Sequence, residues 1–141
     1  MPDNFIHTAE RMRDSSNLLH LNGNYHNACY MAGYVVECYL KIFMSFSIPA
    51  LASNPRNYNH NINSLGTDLS YAISSAASTS VYRNYVMDVH IECSSIISSW
   101  NPNKRYEGTP SSWDEIMSNA FNIEKEKCFD MITKMMVDNI I

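Results

Sequence analysis

Apolar residues recur at three- and four-residue steps through most of this chain, the spacing of amphipathic helices. From about residue 3 to 21, Phe5, Ile6, Ala9, Met12, Leu18 and Leu19 follow that repeat, with Asp3 placed to cap its start. "LNGN", residues 21–24, ends it. Tyr25 to about Ser47 carries the most regular stripe, through Ala28, Met31, Ala32, Val35, Val36, Tyr39, Leu40 and Phe43. Glu37 and Lys41 lie one turn apart on it, acid before base, the order that stabilises a helix.

Pro49, Pro55 and the asparagine-rich run to His60 have no periodic apolar content and predict a loop. Helical spacing resumes with Ile62, Leu65, Leu69, Ala72, Ile73 and Ala76, across Gly66, until "SSAASTS" breaks it. The stripe Tyr82, Val86, Val89, Cys93, Ile96 and Trp100 predicts a fourth helix from about Ser80 to Trp100. "NPNKRYEGTP", residues 101–110, predicts a loop, and Ser112 with Glu115 has capping-box spacing ahead of a last helix. That helix is expected to turn Ala120, Ile123, Cys128, Met131, Ile132, Met135 and Met136 inward and to leave "EKEK", 124–127, as a solvated face. No alternating run predicts a strand. The expectation is an all-α antiparallel bundle of about five helices around a four-helix-bundle core, one domain over residues 1–141.

Composition narrows the class. Hydrophobic residues make up 45% of 141, with four glycines and five prolines, which excludes disordered and fibrous chains. "MPDNFIHTAERMRDSS" is charged where a signal peptide needs an apolar core, and no window approaches the ~18 apolar residues of a membrane span. A cytoplasmic chain without membrane contact is expected. Cys29, Cys38, Cys93 and Cys128 form no C-x-x-C pair, so reduced, buried thiols are expected. A net charge of −4 excludes a general nucleic-acid coat but leaves room for a local basic site. His26 and Cys29 lie three apart without a second ligand pair, and no Gly-rich phosphate loop occurs; neither metal nor cofactor is expected.

The second helix reads "YHNACYMAGYVVECYLKIF" and resembles the HEPN family, whose signature is a tyrosine-led helix of the form A-x-x-x-A-G-Y-x-x-E-x-x-L-K. Ala28, Ala32, Gly33, Tyr34, Glu37, Leu40 and Lys41 match it. "AERMRDSSNLL" resembles the family's preceding helix, "HNINSL" its histidine at the start of helix three, and "WNPNKRYEG" its W-x-P-x-x-R-Y loop. The resemblance implies a helical bundle, usually a homodimer, from prokaryotic toxin–antitoxin or phage-defence gene pairs. Some branches of that family are metal-independent ribonucleases. Others bind nucleotides or partner proteins, among them nucleotidyltransferases.

The cleaving branches carry an arginine, four to six residues, then a histidine, commonly with a polar residue after the arginine. Arg83, Asn84 and His90 fit that wording. On one continuous helix their seven steps of about 100° would bring the two side chains within about 20° of a line. Histidine would deprotonate the RNA 2′-hydroxyl and arginine would hold the phosphorane's charge, giving a cyclic 2′,3′-phosphate. Asn84 would orient phosphate or ring. "RDSSNLLH", Arg13 to His20, repeats the spacing and is the expected decoy. Glu37, Lys41, His60, Arg105 and Tyr106 are the candidate nucleotide- or RNA-binding residues, each with a plain structural role as its alternative. Three readings stand open: a HEPN-type homodimer that binds RNA or a nucleotide and, if it is an enzyme, cleaves RNA without metal through Arg83 and His90; a non-catalytic dimeric module that holds a partner such as a nucleotidyltransferase; and a small-nucleotide binder using Glu37, Lys41 and Arg105.

Overall fold

The computed structural model describes residues 4–47, 59–75, 81–107 and 113–141. Among the described residues six α-helices run in the order α1 (Phe5–Leu21), α2 (Tyr25–Ser47), α3 (Ile62–Ser75), α4 (Val89–Glu92), α5 (Ser94–Ser99) and α6 (Glu115–Val137). Short 3-10 turns occupy Val81–Tyr85 and Pro102–Tyr106, and there is no strand among the described residues. The described residues are all-helical, as expected, with six α-helices where about five were expected. Asp3, the Pro49–Pro55 loop, Ala76 with the serine-rich break, and Ser112 lie outside the described residues.

α2 is the central helix because it is apolar over most of its circumference: Val35, Val36, Tyr39, Leu40 and Phe43 are each 1% exposed or less. α1 and α6 pack along it, and α3 and the 102–106 turn close its other sides. The helix starts are set by short polar side chains. Asn4 accepts from the His7 amide at α1, and Asp114 accepts from the Met117 amide at α6. Asp114 thus supplies the cap expected of Ser112. Between α1 and α2, Gly23 takes φ +76°, and the Gly23 and Asn24 amides close onto His20 and Leu19.

The helix expected from Ser80 to Trp100 is broken twice. At 86–88 the buried Tyr39 hydroxyl donates to the Tyr85 carbonyl (2.6 Å) and accepts from the Met87 amide (2.9 Å). It thereby replaces the partners that a continuing helix would give those groups. Asp88 then caps the restart at α4 through the His90 amide. The second break is at Cys93, where Glu124 of α6 accepts from the Ser95 and Ile96 amides and caps α5 from across the bundle.

The "EKEK" expectation of a solvated face holds for Lys127 and is overturned at Glu124 and Lys125. Glu124 and Lys125 are buried at 8% and 0% exposure, while Ile123 and Met136, expected inside, are 61% and 41% exposed. Lys125 donates to Ser16, Asn17 and Asn122, and Glu126 takes a two-pronged bond from Arg13 at 3.0 Å. Burial drives the Lys125 amine down to about 8, against the opposing pull of Glu126. His20 reaches Ser118 at 2.7 Å, and the Arg13 guanidinium lies 4.4 Å above the Phe129 ring. Arg13 and His20 therefore both serve the α1–α6 seam.

Candidate nucleotide-binding site

Gly33 in the "AGY" of α2 has a definite packing reason. A Cβ there would stand 2.0 Å from Nε1 of Trp100, so the indole lies directly on the helix backbone and donates to the Tyr30 carbonyl at 3.0 Å. Tyr34 meets that indole edge-on at 5.0 Å and the His60 ring at 5.6 Å. His26 adds a second tie, its Nε2 at 2.8 Å from the Lys104 carbonyl. Together these contacts hold the 102–106 turn against the same side of α2 that carries Glu37.

Glu37 is 5% exposed and has two partners. Lys41 Nζ, equally buried, lies 2.6 Å from Oε1 and also donates to the Asn59 carbonyl at 2.8 Å. His60 Nδ1 lies 3.1 and 3.0 Å from the two carboxylate oxygens. A carboxylate accepts only, so Nδ1 carries the proton and Nε2 turns away from it. These two donors satisfy the buried charge of Glu37, and the entry to α3 is clamped to α2 as a result. The i, i+4 spacing of Glu37 and Lys41 was legible from the sequence; the third member, His60, was legible only as a candidate.

His60 is half exposed and lines two grooves at once. One, of about 670 Å³, is walled by Asn59, Asn61, Asn63, Trp100 and Asn101. The other, of about 450 Å³, is walled by Phe5, Thr8, Arg11, Tyr34, Glu37 and Lys41. Asn61 and Asn101 spend their side-chain carbonyls on the Ser64 and Asn103 amides, which leaves their Nδ2 groups as donors. Burial, and then the hydrogen bond with Tyr30, hold the Tyr34 phenol above its ordinary value; the charge of Arg105 opposes that shift. Arg105 itself is exposed, with its guanidinium 5.7 Å from the ring of Tyr106, which is 79% exposed. Sequence reasoning missed Arg11 and the asparagines. Their only signal was the density of asparagine around His60.

Arg83, Asn84 and His90 do not share a helix. Arg83 and Asn84 are exposed in the 3-10 turn, residues 86–88 are non-helical, and His90 belongs to α4. The seven-step alignment expected for the pair therefore fails, because Tyr39 and Asp88 interrupt the helix that would have produced it. His90 Nε2 lies 2.8 Å from Asn63 Oδ1 and 3.3 Å from Thr67 Oγ1, so its ring braces the wall of the larger groove. Gly66 permits that approach: a Cβ there would meet Val89 at 2.7 Å.

The described residues hold no group of three or more His, Cys, Asp or Glu side chains placed to bind a metal. His26 is bonded to the Lys104 carbonyl, and Cys29 is fully buried in the core. No helix among the described residues is long and apolar enough to cross a membrane. Protein-family models, curated proteins and solved structures were each compared with the chain, and none matches it.

Proposed function

We propose that this chain is a HEPN-type helical-bundle protein of a prokaryotic defence or toxin–antitoxin system, and that it binds RNA or a nucleotide where its two grooves meet at His60. One observation carries the reading. The buried Glu37, paired with Lys41, holds Nδ1 of the half-exposed His60 ring, and that ring lines both grooves. A polar, partly cationic cleft with aromatic walls suits a phosphate flanked by bases. The HEPN assignment rests on the α2 signature and on the fit between Gly33 and Trp100, which ties two of its four quoted segments to each other.

Within this proposal the protein is a cytoplasmic homodimer, and the binding reading takes precedence over RNA cleavage by Arg83 and His90, whose ring is engaged by Asn63. The deciding measurement is fluorescence polarisation of a labelled single-stranded RNA with the wild type and with Arg11→Ala/His60→Ala. Binding that falls at least tenfold in the variant, with the helical circular dichroism retained, supports the reading; unchanged binding removes it. Incubating the same RNA in EDTA tests the nuclease: cleavage that disappears in His90→Ala would place the activity back on that residue.

A further inference from the structure

We infer that the ligand of this site is a dinucleotide unit of single-stranded RNA, its linking phosphate held at His60 and one nucleoside lying in each groove; this rests on the RNA-binding reading above. Size is the first argument. Small-molecule sites run from roughly 300 to 1,000 Å³, so grooves of about 670 and 450 Å³ each accept one nucleoside, and a single mononucleotide would leave one of them empty.

Chemistry orders the two halves. His60 is the side chain common to both grooves, and Glu37 turns its Nε2 outward; as an imidazolium that nitrogen donates to a phosphate oxygen. Arg11, on the wall of the smaller groove, adds a second cation with its guanidinium 3.3 Å from the Thr8 hydroxyl. Apart from His60, no cationic side chain lines the larger groove among the described residues. It offers the Nδ2 donors of Asn61 and Asn101 beside Trp100, a set that recognises the acceptor edge of a base. The division is thus a backbone-and-base half against a base-reading half, with His60 between.

Titration calorimetry of the full chain with ApA, 5′-AMP and adenosine tests this. ApA is expected to bind at least tenfold more tightly than either smaller ligand. His60→Asn, which keeps an N–H at the δ position for Glu37 but has neither the groove-facing nitrogen nor a charge, is expected to lower ApA affinity about tenfold and to leave adenosine unchanged. Asn101→Asp keeps the oxygen that caps Asn103 while removing the groove-facing donor, and is expected to weaken ApA by a similar factor. Equal affinity for ApA and 5′-AMP, or ApA binding untouched by both substitutions, overturns the inference. Long single-stranded RNA bound without preference for ApA over 5′-AMP defeats the dinucleotide assignment alone. Failure to bind any of these ligands defeats the RNA-binding reading with it.

Discussion

Gly33→Ala is a test of the packing on which the candidate site depends. The added methyl would lie 2.0 Å from Nε1, 2.1 Å from Cε2 and 2.2 Å from Cδ1 of Trp100. Ordinary contact begins near 3.4 Å, so the indole must retreat by about 1.4 Å or leave its seat. It is 7% exposed and bonded to the Tyr30 carbonyl, so retreat forfeits much of its burial and that hydrogen bond. Truncating a buried tryptophan costs about 3–5 kcal/mol, and a broken hydrogen bond adds about 1. Partial retention of contact and the better helix propensity of alanine, about 1 kcal/mol, offset part of this. The expected net loss is about 3 kcal/mol, a large share of the ~5–15 kcal/mol that stabilises a domain.

Urea denaturation followed by circular dichroism measures that loss. The sign of the effect should reverse in a Trp100→Ala background, where the methyl meets no indole and only its propensity gain of up to about 1 kcal/mol remains. A coupling of at least about 2 kcal/mol between the two positions is expected. Gly33→Ala within about 0.5 kcal/mol of wild type, or additive with Trp100→Ala, would refute the reasoning.

Other outcomes follow from the buried polar groups. Lys125 holds fewer protons folded than unfolded between about pH 8 and its ordinary 10.5, so its contribution to stability rises across that window. After screening is allowed for, the rise is of order 2 kcal/mol; it is read as the wild-type denaturation free energy minus that of Lys125→Met at each pH. A difference that stays flat or falls from pH 8 to 10.5 would contradict the burial of that amine. Burial raises the Glu126 carboxyl, but the hydrogen bond from Arg13 and the charges of Arg13 and Lys125 outweigh it and hold the group below 4.5. Its stabilisation is therefore present above 4.5 and lost as pH falls through the lower folded value, a loss that Glu126→Gln should abolish in acid denaturation. Glu124→Ala removes the acceptor of the Ser95 and Ile96 amides and should cost about 1–2 kcal/mol by urea denaturation. All four cysteines are buried, and burial pushes the Cys29 and Cys38 thiols up to about 12. Thiol labelling of the native protein should therefore proceed only as fast as it unfolds, and rapid labelling of any cysteine would refute that.

What the chain determined alone is whatever a helix decides within its own few turns. The stripe from Ala28 to Phe43 specified α2 and its buried face, "LNGN" its separation from α1, and the Glu37–Lys41 spacing their ion pair. Those features depend on residues three or four apart, so periodicity carries them. The tertiary structure decided what depends on groups distant in sequence. The apolar stripe from Tyr82 to Trp100 was correct about burial at Val89, Cys93 and Ile96 yet wrong about continuity, since Tyr39 and Glu124 offered its backbone better partners from other helices. Lys125 and Glu126 of "EKEK" were drawn to the α1–α6 seam because Ser16, Asn17 and Arg13 supply polar partners across it, while Lys127 stays exposed. His60 became part of a site only when the chain folded back to Glu37, 23 residues away. A buried charge goes where its partner is, and no local pattern records where that will be.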